Sequence, residues 1–166
     1  MTGQQPFAHE DFVDLVECLQ AEGCDFLIVG AHAMAAHGVA RATGDLDVLV
    51  RPEPDNAGRV YRALVRFGAP VGAHGVQPRD FATAGRVYQL GLPPRRIDIL
   101  TQISGVDYDE AVAQPILGRL GHTMVRFIGL DALLRNKRCA GRTKDLADVE
   151  ALEAVAAATT DFHRED

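Results

Sequence analysis

Apolar residues recur along this chain at two spacings, one typical of helices and the other of buried strands. Apolar positions every three or four residues predict helices, and short apolar runs bounded by glycine or proline predict strands. The predicted helices cover residues 8–22, 31–38, 55–67, 107–114, 130–140 and the stretch from Thr143 to about 158. The predicted strands cover residues 25–30, 46–50, 86–92, 95–100 and 122–129.

Strands and helices mixed in this order predict an α/β or α+β fold, with helices packed on a sheet. The strand-like runs on either side of Pro93-Pro94 predict a hairpin, whereas residues 69–84 lose the pattern and predict a loop. Because 166 residues suit one compact domain, we expect a single domain over residues 1–166, with its core at about 24–155.

Composition and charge exclude several classes of protein. The net charge is -6, so the chain as a whole is repelled by nucleic acid and by anionic membranes, and a polyanion must bind a local basic patch. No apolar run reaches the roughly 18 residues that span a bilayer, and the N-terminus lacks the pattern of a secretory signal. The three cysteines form no CxxC pair, so we expect a protein of the reducing cytoplasm.

Three aspartates lie in or next to predicted strands. Asp45 and Asp47 open the strand at 46–50, and side chains two apart on a strand project from the same face. Asp98 lies between two isoleucines in a later strand, and it joins the pair only if the two strands are neighbours. Carboxylates this close on an apolar strand are costly without a cation. Hard oxygen ligands of this number suit Mg²⁺. Taken alone, solvated edge-strand aspartates, or an ion pair of Asp98 with Arg95 or Arg96, also account for them.

A glycine stands where the first predicted strand turns into a helix. Gly30 and the small Ala31 let backbone amides approach an anion closely at this turn. A triphosphate held there, beside a pair of metal ions, is the arrangement that nucleotidyl transfer requires.

The stretch FLIVGAHAMAAHGVARATGDLDVLV (26–50) resembles the signature of the DNA polymerase β-like nucleotidyltransferase superfamily. Together with RIDIL (96–100) and KRCAGRTKDLADVEAL (137–152), it is similar to small bacterial nucleotidyltransferases related to the AbiEii-type toxins. The resemblance implies the nucleotidyltransferase fold, with a mixed central sheet, flanking helices and a C-terminal helical pair. It also implies that Asp45, Asp47 and Asp98 are the catalytic metal ligands and that Gly30 and Ala31 bind the nucleotide phosphates. Ala31 departs from the serine or glycine usual there.

Further cationic residues are candidates for nucleotide binding. Arg41 is able to contact a phosphate or to pair with Asp45 or Asp47, and the sequence does not decide between these. In the basic segment RNKRCAGRTK (135–144), Lys137 and Lys144 are the expected contacts of a triphosphate or an RNA backbone, although a solvated helix face also explains such charges. For Asp145 and Asp148 beyond it, we expect structural salt bridges to Arg142 or Lys144.

These residues predict an Mg²⁺-dependent enzyme, with two ions, that transfers a nucleoside monophosphate from an NTP to an acceptor hydroxyl and releases pyrophosphate. The sequence leaves the acceptor open among a small molecule, a tRNA and a protein, and it leaves open a homodimer or a small partner protein. The alternative is a nucleotide-binding or regulatory module with weak or no turnover, which Ala31 favours, including a component of a toxin–antitoxin pair.

Overall fold

The computed structural model describes residues 9–40 and 44–164, and this part of the chain forms six α-helices, one 3₁₀ helix and six strands. The α-helices are α1 (Glu10–Ala21), α2 (Gly30–Ala36), α3 (Pro54–Phe67), α4 (Tyr108–Val112), α5 (Leu130–Ala140) and α6 (Thr143–Phe162), and the 3₁₀ helix is Pro78–Ala82. The strands are β1 (Phe26–Val29), β2 (Leu46–Val50), β3 (Val87–Leu90), β4 (Ile97–Leu100), β5 (Ile116–Leu120) and β6 (Thr123–Phe127).

Every predicted helix and strand is present, with ends that differ by a few residues. The structure adds two elements, β5 and the 3₁₀ helix, and the latter lies inside the predicted loop 69–84. Its buried Phe81 contacts the ring of Tyr88 on β3. Packing of this side chain stabilises the segment, which has no apolar periodicity that would predict a helix. Thr143, the predicted N-cap of the last helix, is instead its first residue, and Arg142 is the cap.

The strands form one mixed sheet in the order β3-β4-β2-β1-β6-β5. β1 is antiparallel to β2 and parallel to β6, whereas β2 is parallel to β4. β3 pairs with β4 and β5 with β6, both antiparallel, which confirms the hairpin predicted around Pro93-Pro94. Because of these directions, the C-terminal end of β1 and the N-terminal ends of β2 and β4 lie side by side, at the same end of the strands.

A continuous hydrophobic cluster joins the sheet to the helices around it. α1 packs against α3, and α3 packs against the 3₁₀ helix, so these elements form a helical layer. Phe81 of that layer contacts Tyr88, which pairs with Ile99 on β4. Tyr88 and Ile99 lie on the face of the sheet opposite to the one that carries Asp98. The layer therefore covers that opposite face. The prediction of a single domain stays a prediction.

The C-terminal helical pair is formed by α5 and α6, which pack against each other. The turn between them contains Gly141, whose φ of 67° is the left-handed conformation that glycine adopts readily. In the described part of the chain, no helix is both long enough and apolar enough to cross a membrane.

Candidate active site

The predicted neighbour relation between the aspartate strands is present. β2 and β4 are parallel, and their register pairs Asp47 directly with Asp98. Paired residues on neighbouring strands project from the same face, so the two carboxylates lie side by side. Val29, the last residue of β1, pairs with Asp47 from the other side. The phosphate-loop candidate and two of the three candidate metal ligands therefore meet at one edge of the sheet.

Asp45 joins this pair through Arg96. The guanidinium of Arg96 lies 2.8 Å from Asp98 Oδ1 through Nε and 3.2 Å from Asp45 Oδ2 through one terminal nitrogen. The backbone N–H of Arg96 also donates to Asp45 Oδ1 at 3.1 Å. One arginine thus bridges the first and third carboxylates. The choice that the sequence left open between Arg95 and Arg96 is settled for Arg96, since residues 96 and 98 share a face of the strand.

The three carboxylates carry mutual repulsion that the arginine only partly relieves. Burial, as the largest cause, and the negative charges of Asp98 and Asp45 together raise the pKa of Asp47 from its ordinary 3.8 to about 6. A hydrogen bond with Asp98 acts in the same direction, and Arg96 opposes them. A divalent cation beside Asp47 would favour the ionised form of this carboxylate.

The side chains are of the type that binds magnesium, although one arginine bridges two of the three carboxylates in this arrangement. Among residues 9–40 and 44–164, no three His, Cys, Asp or Glu side chains are arranged to enclose a metal ion. Arg96 lies on oxygens of Asp45 and Asp98 that a metal would use. Carboxylate oxygens remain the preferred ligands of Mg²⁺. The residue types therefore suit the ion, and binding it would require the guanidinium to leave these oxygens.

Gly30 packs directly on the Asp47 side chain. Its φ is +69°, and a Cβ added there would overlap Oδ2 of Asp47 and lie 3.0 Å from its Cγ. Glycine is therefore required here for two reasons: the backbone is left-handed, and the Asp47 carboxylate leaves no room for a Cβ. Ala31 follows in the first turn of α2, partly buried.

Replacing Gly30 by alanine should destabilise the protein because the new methyl group overlaps the Asp47 side chain and must displace it. Gly23 is a matched control, since it has the same φ of +69° and nothing within 4 Å of an added Cβ. Gly23→Ala carries only the left-handed strain. We expect Gly30→Ala to lower the free energy of unfolding by about 1–3 kcal/mol more than Gly23→Ala, as overpacking does. Urea denaturation measures both, and equal losses would contradict the contact.

The basic segment 135–144 is largely neutralised by carboxylates. Lys137 is buried, and its Nζ lies 2.9 Å from Asp148 Oδ2 and 3.6 Å from Asp145 Oδ1. Arg142 binds Asp145 at 2.6 Å, which lowers the pKa of that aspartate. The expected salt bridge from Arg142 to Asp145 is thus present, whereas Asp148 pairs with Lys137. Lys144 is exposed.

The two remaining arginines of the segment also face carboxylates. Arg135 pairs with Glu110, and Arg138 pairs with Glu153. These pairs are surface contacts of the kind that add little stability. Residues 135–144 carry five positive charges in the sequence, and carboxylates offset most of them in the folded chain. Arg41, the other candidate cation, lies outside the described residues.

The sequence did not single out Arg96 as part of the site. It entered only as one of two arginines, with Arg95, that could form an ion pair with Asp98. The available signal was its spacing, because an arginine two residues before a strand aspartate projects from the same face. Only the parallel pairing of β2 with β4 brings Asp45 within reach of the same guanidinium.

Comparisons with known proteins bear on the fold. No protein-family model matches the chain, and no curated protein is significantly similar to it. Among solved structures, it is similar to the solution structure of the antibiotic-resistance factor ANT(2'')-Ia. The TM-score is 0.53 and the identity is 14%, over 94% of this chain and 92% of that one. The mixed six-stranded sheet with its helices matches this nucleotidyltransferase-like neighbour, so the chain has the nucleotidyltransferase fold that its sequence predicted.

Proposed function

We propose that this protein is an Mg²⁺-dependent nucleotidyltransferase that moves a nucleoside monophosphate from an NTP to an acceptor hydroxyl. The observation that carries the proposal is the pairing of Asp47 with Asp98 on neighbouring strands, with Gly30 packed on Asp47. This juxtaposition lies within a nucleotidyltransferase fold. Carboxylates packed this closely, one buried and two half-buried, have a cost in stability, and a catalytic metal site gives a reason for it.

In the proposed site, Asp45 and Asp47 would hold both magnesium ions, and Asp98 would complete one of the two ligand sets. When bound, the ions neutralise the phosphate charge and make the acceptor hydroxyl easier to deprotonate. The raised pKa of Asp47 fits this role, since a nearby divalent cation favours the ionised carboxylate. Arg96 would have to leave the carboxylate oxygens that it bridges, and it would then remain beside the site as a positive charge.

The proposed reaction is an in-line displacement at the α-phosphorus of the NTP. The acceptor oxygen forms a bond to that phosphorus, and the bond to the bridging oxygen of the departing pyrophosphate breaks. The proton of the acceptor hydroxyl passes to Asp98, which acts as general base at the reacting end of the site. Most of the acceleration then comes from positioning and charge, which the rigid sheet edge supplies.

The other candidate residues have proposed roles in holding the nucleotide. Gly30 and Ala31 would bind the β- and γ-phosphates through their backbone N–H groups. Arg41, which precedes β2 in the sequence, and Lys144 at the start of α6 are also proposed as phosphate contacts. Lys137 is proposed in the same role, although its amine already lies against Asp148 and Asp145.

Magnesium and nucleotide titrations test this proposal. The expected result is a rise in melting temperature with Mg²⁺ and at least one NTP together, because ligands that bind only the folded state stabilise it. Pyrophosphate release should then appear with an acceptor from a panel of antibiotics, RNA and cell-extract fractions. Stabilisation without pyrophosphate release across the whole panel would favour a nucleotide-binding module. The absence of both stabilisation and pyrophosphate release would refute the enzyme and the nucleotide-binding module alike.

The acceptor classes in the panel have separate grounds. ANT(2'')-Ia is an antibiotic-resistance factor, so antibiotics are one class to test. The resemblance to AbiEii-type proteins makes RNA and proteins the other classes, and it makes membership of a toxin–antitoxin pair a proposal. Growth arrest on expression of the wild-type chain, absent with Asp47→Asn, would support the toxin proposal. Cells that express the wild-type chain and grow as fast as cells without it would count against the toxin proposal.

A further inference from the structure

The order of strands separates the two ends of the proposed site. Gly30 follows β1, Asp47 is on β2, Asp98 is on β4, and Gln89 is on β3, and these strands lie side by side in that order. The attacking and leaving oxygens of an in-line displacement lie on opposite sides of the phosphorus. If the triphosphate lies over Gly30, the acceptor must therefore approach from the side of β4 and β3.

Gln89 is the polar side chain at that side. Its register pairs it with Asp98 across the antiparallel strands, which places their Cβ atoms about 4.5–5.5 Å apart on the same face. Gln89 is exposed, and β3 is an edge strand, so no strand lies beyond it. Among the residues that the structure describes, none hydrogen-bonds the Gln89 amide.

The surface next to Gln89 is aliphatic. Val87 is 54% exposed, and its partner on β4 is Leu100, which is partly buried. Both lie two residues from the Gln89–Asp98 pair and so share its face. The surface formed by Gln89, Val87 and Leu100 therefore has an amide that donates and accepts hydrogen bonds beside Asp98, and an apolar part next to it.

We propose that Gln89 positions the acceptor by hydrogen bonding to a polar group next to the reacting hydroxyl, while Val87 and Leu100 contact its apolar face. The inference rests on the proposed function and adds to it the acceptor side of the site. The acceptor that fits carries a second hydroxyl, amine or amide beside the reacting hydroxyl. Gln89 is a specificity-determining residue and takes no part in proton transfer.

The test compares Gln89→Ala with Gln102→Ala, an exposed glutamine beyond the opposite end of β4. The probe is a mixture of α-labelled NTPs with Mg²⁺ and a cell extract, resolved into RNA, protein and small-molecule fractions. The labelled fraction then serves as acceptor in kinetic titrations. We expect Gln89→Ala to raise the KM for the acceptor about three- to tenfold, the loss of one hydrogen bond. The KM for NTP and the melting temperature should stay at wild-type values, as should every parameter of Gln102→Ala.

The possible failures are distinguishable. An unchanged acceptor KM in Gln89→Ala, or a rise in the KM for NTP alone, would overturn the role of Gln89 and leave the proposed function in place. Wild-type protein that labels nothing, and that behaves like Asp47→Asn, would overturn the proposed function and this inference with it. The identity of the labelled fraction tells whether the acceptor group belongs to a small molecule or a polymer.

Discussion

Replacing Asp47 by asparagine should lower the rate of nucleotide transfer by on the order of 10²–10³-fold or more, the scale of losing one preorganised electrostatic stabiliser of a transition state. Asp47 is the central member of the cluster, since it pairs with Asp98 and also contacts Gly30. Asparagine keeps the shape of the side chain but removes its charge. Pyrophosphate release at saturating NTP and Mg²⁺ measures the effect. Transfer at the wild-type rate in this variant would remove Asp47 from the proposed metal site.

The same variant should not lose stability in the absence of metal. Because the folded-state pKa of Asp47 lies at about 6, above the ordinary 3.8, the folded protein holds this proton more tightly than the unfolded chain does. Stability therefore falls as the pH rises from 3.8 to about 6, and it stays lower above that range. Asparagine removes this loss, so we expect Asp47→Asn to be more stable than wild type at pH 7 by about 1–3 kcal/mol. At pH 3.5 the two should be equal, and urea denaturation at both pH values measures the difference.

Replacing Lys137 by methionine should destabilise the protein by about 3 kcal/mol or more, the cost of removing one partner from a buried ion pair. Lys137 is 8% exposed, and Asp148 and Asp145 are each 1% exposed. Methionine fills a similar volume but takes the positive charge away from both carboxylates. Lys144→Met is the matched control, because Lys144 is exposed and such surface changes stay within about 0.5 kcal/mol. Equal stability of the two variants would contradict a structural role for Lys137.

A double variant separates structure from binding at this position. Lys137→Met with Asp148→Leu replaces the pair by apolar side chains, which is often neutral for stability. If Lys137 also contacts the triphosphate, the double variant should recover stability but bind NTP more weakly than wild type. Recovery of both stability and NTP binding would assign Lys137 to the packing of α5 on α6 alone. Thermal shift with and without NTP and Mg²⁺ gives both readouts in one experiment.

β5 is a strand that its own residues do not predict. Its residues Ile116–Leu120 include Gly118 and Arg119, and they show no continuous apolar run. The strand forms because Gly121, with φ of 61°, turns the chain back so that β5 pairs with β6. The partner strand and the turn stabilise it, whereas its own composition does not predict it. The 3₁₀ helix is a similar case, since Phe81 is buried against Tyr88 of β3 and the 3₁₀ helix packs on α3.

Asp45 and Asp47 could be grouped from the sequence alone, because alternation on a strand is a local property of the backbone. The same local geometry predicted helices and strands wherever an apolar period was long enough. Gly30 was also found locally, at the boundary between a strand and a helix. The resemblance to nucleotidyltransferases then predicted the fold class, and the strand order agrees with it.

Only the tertiary structure decided what stands next to Asp47. β2 and β4 are separated in sequence by α3, the 3₁₀ helix and β3, and their parallel pairing depends on how these elements pack. That packing places Asp98 beside Asp47, brings Arg96 onto Asp45, and commits Lys137 to the carboxylates of α6. Spacing along the chain determines which face a side chain points to, whereas its neighbours across the sheet are determined by long-range burial. The sequence alone therefore determined the candidate residues, and the fold decided which of them share one site.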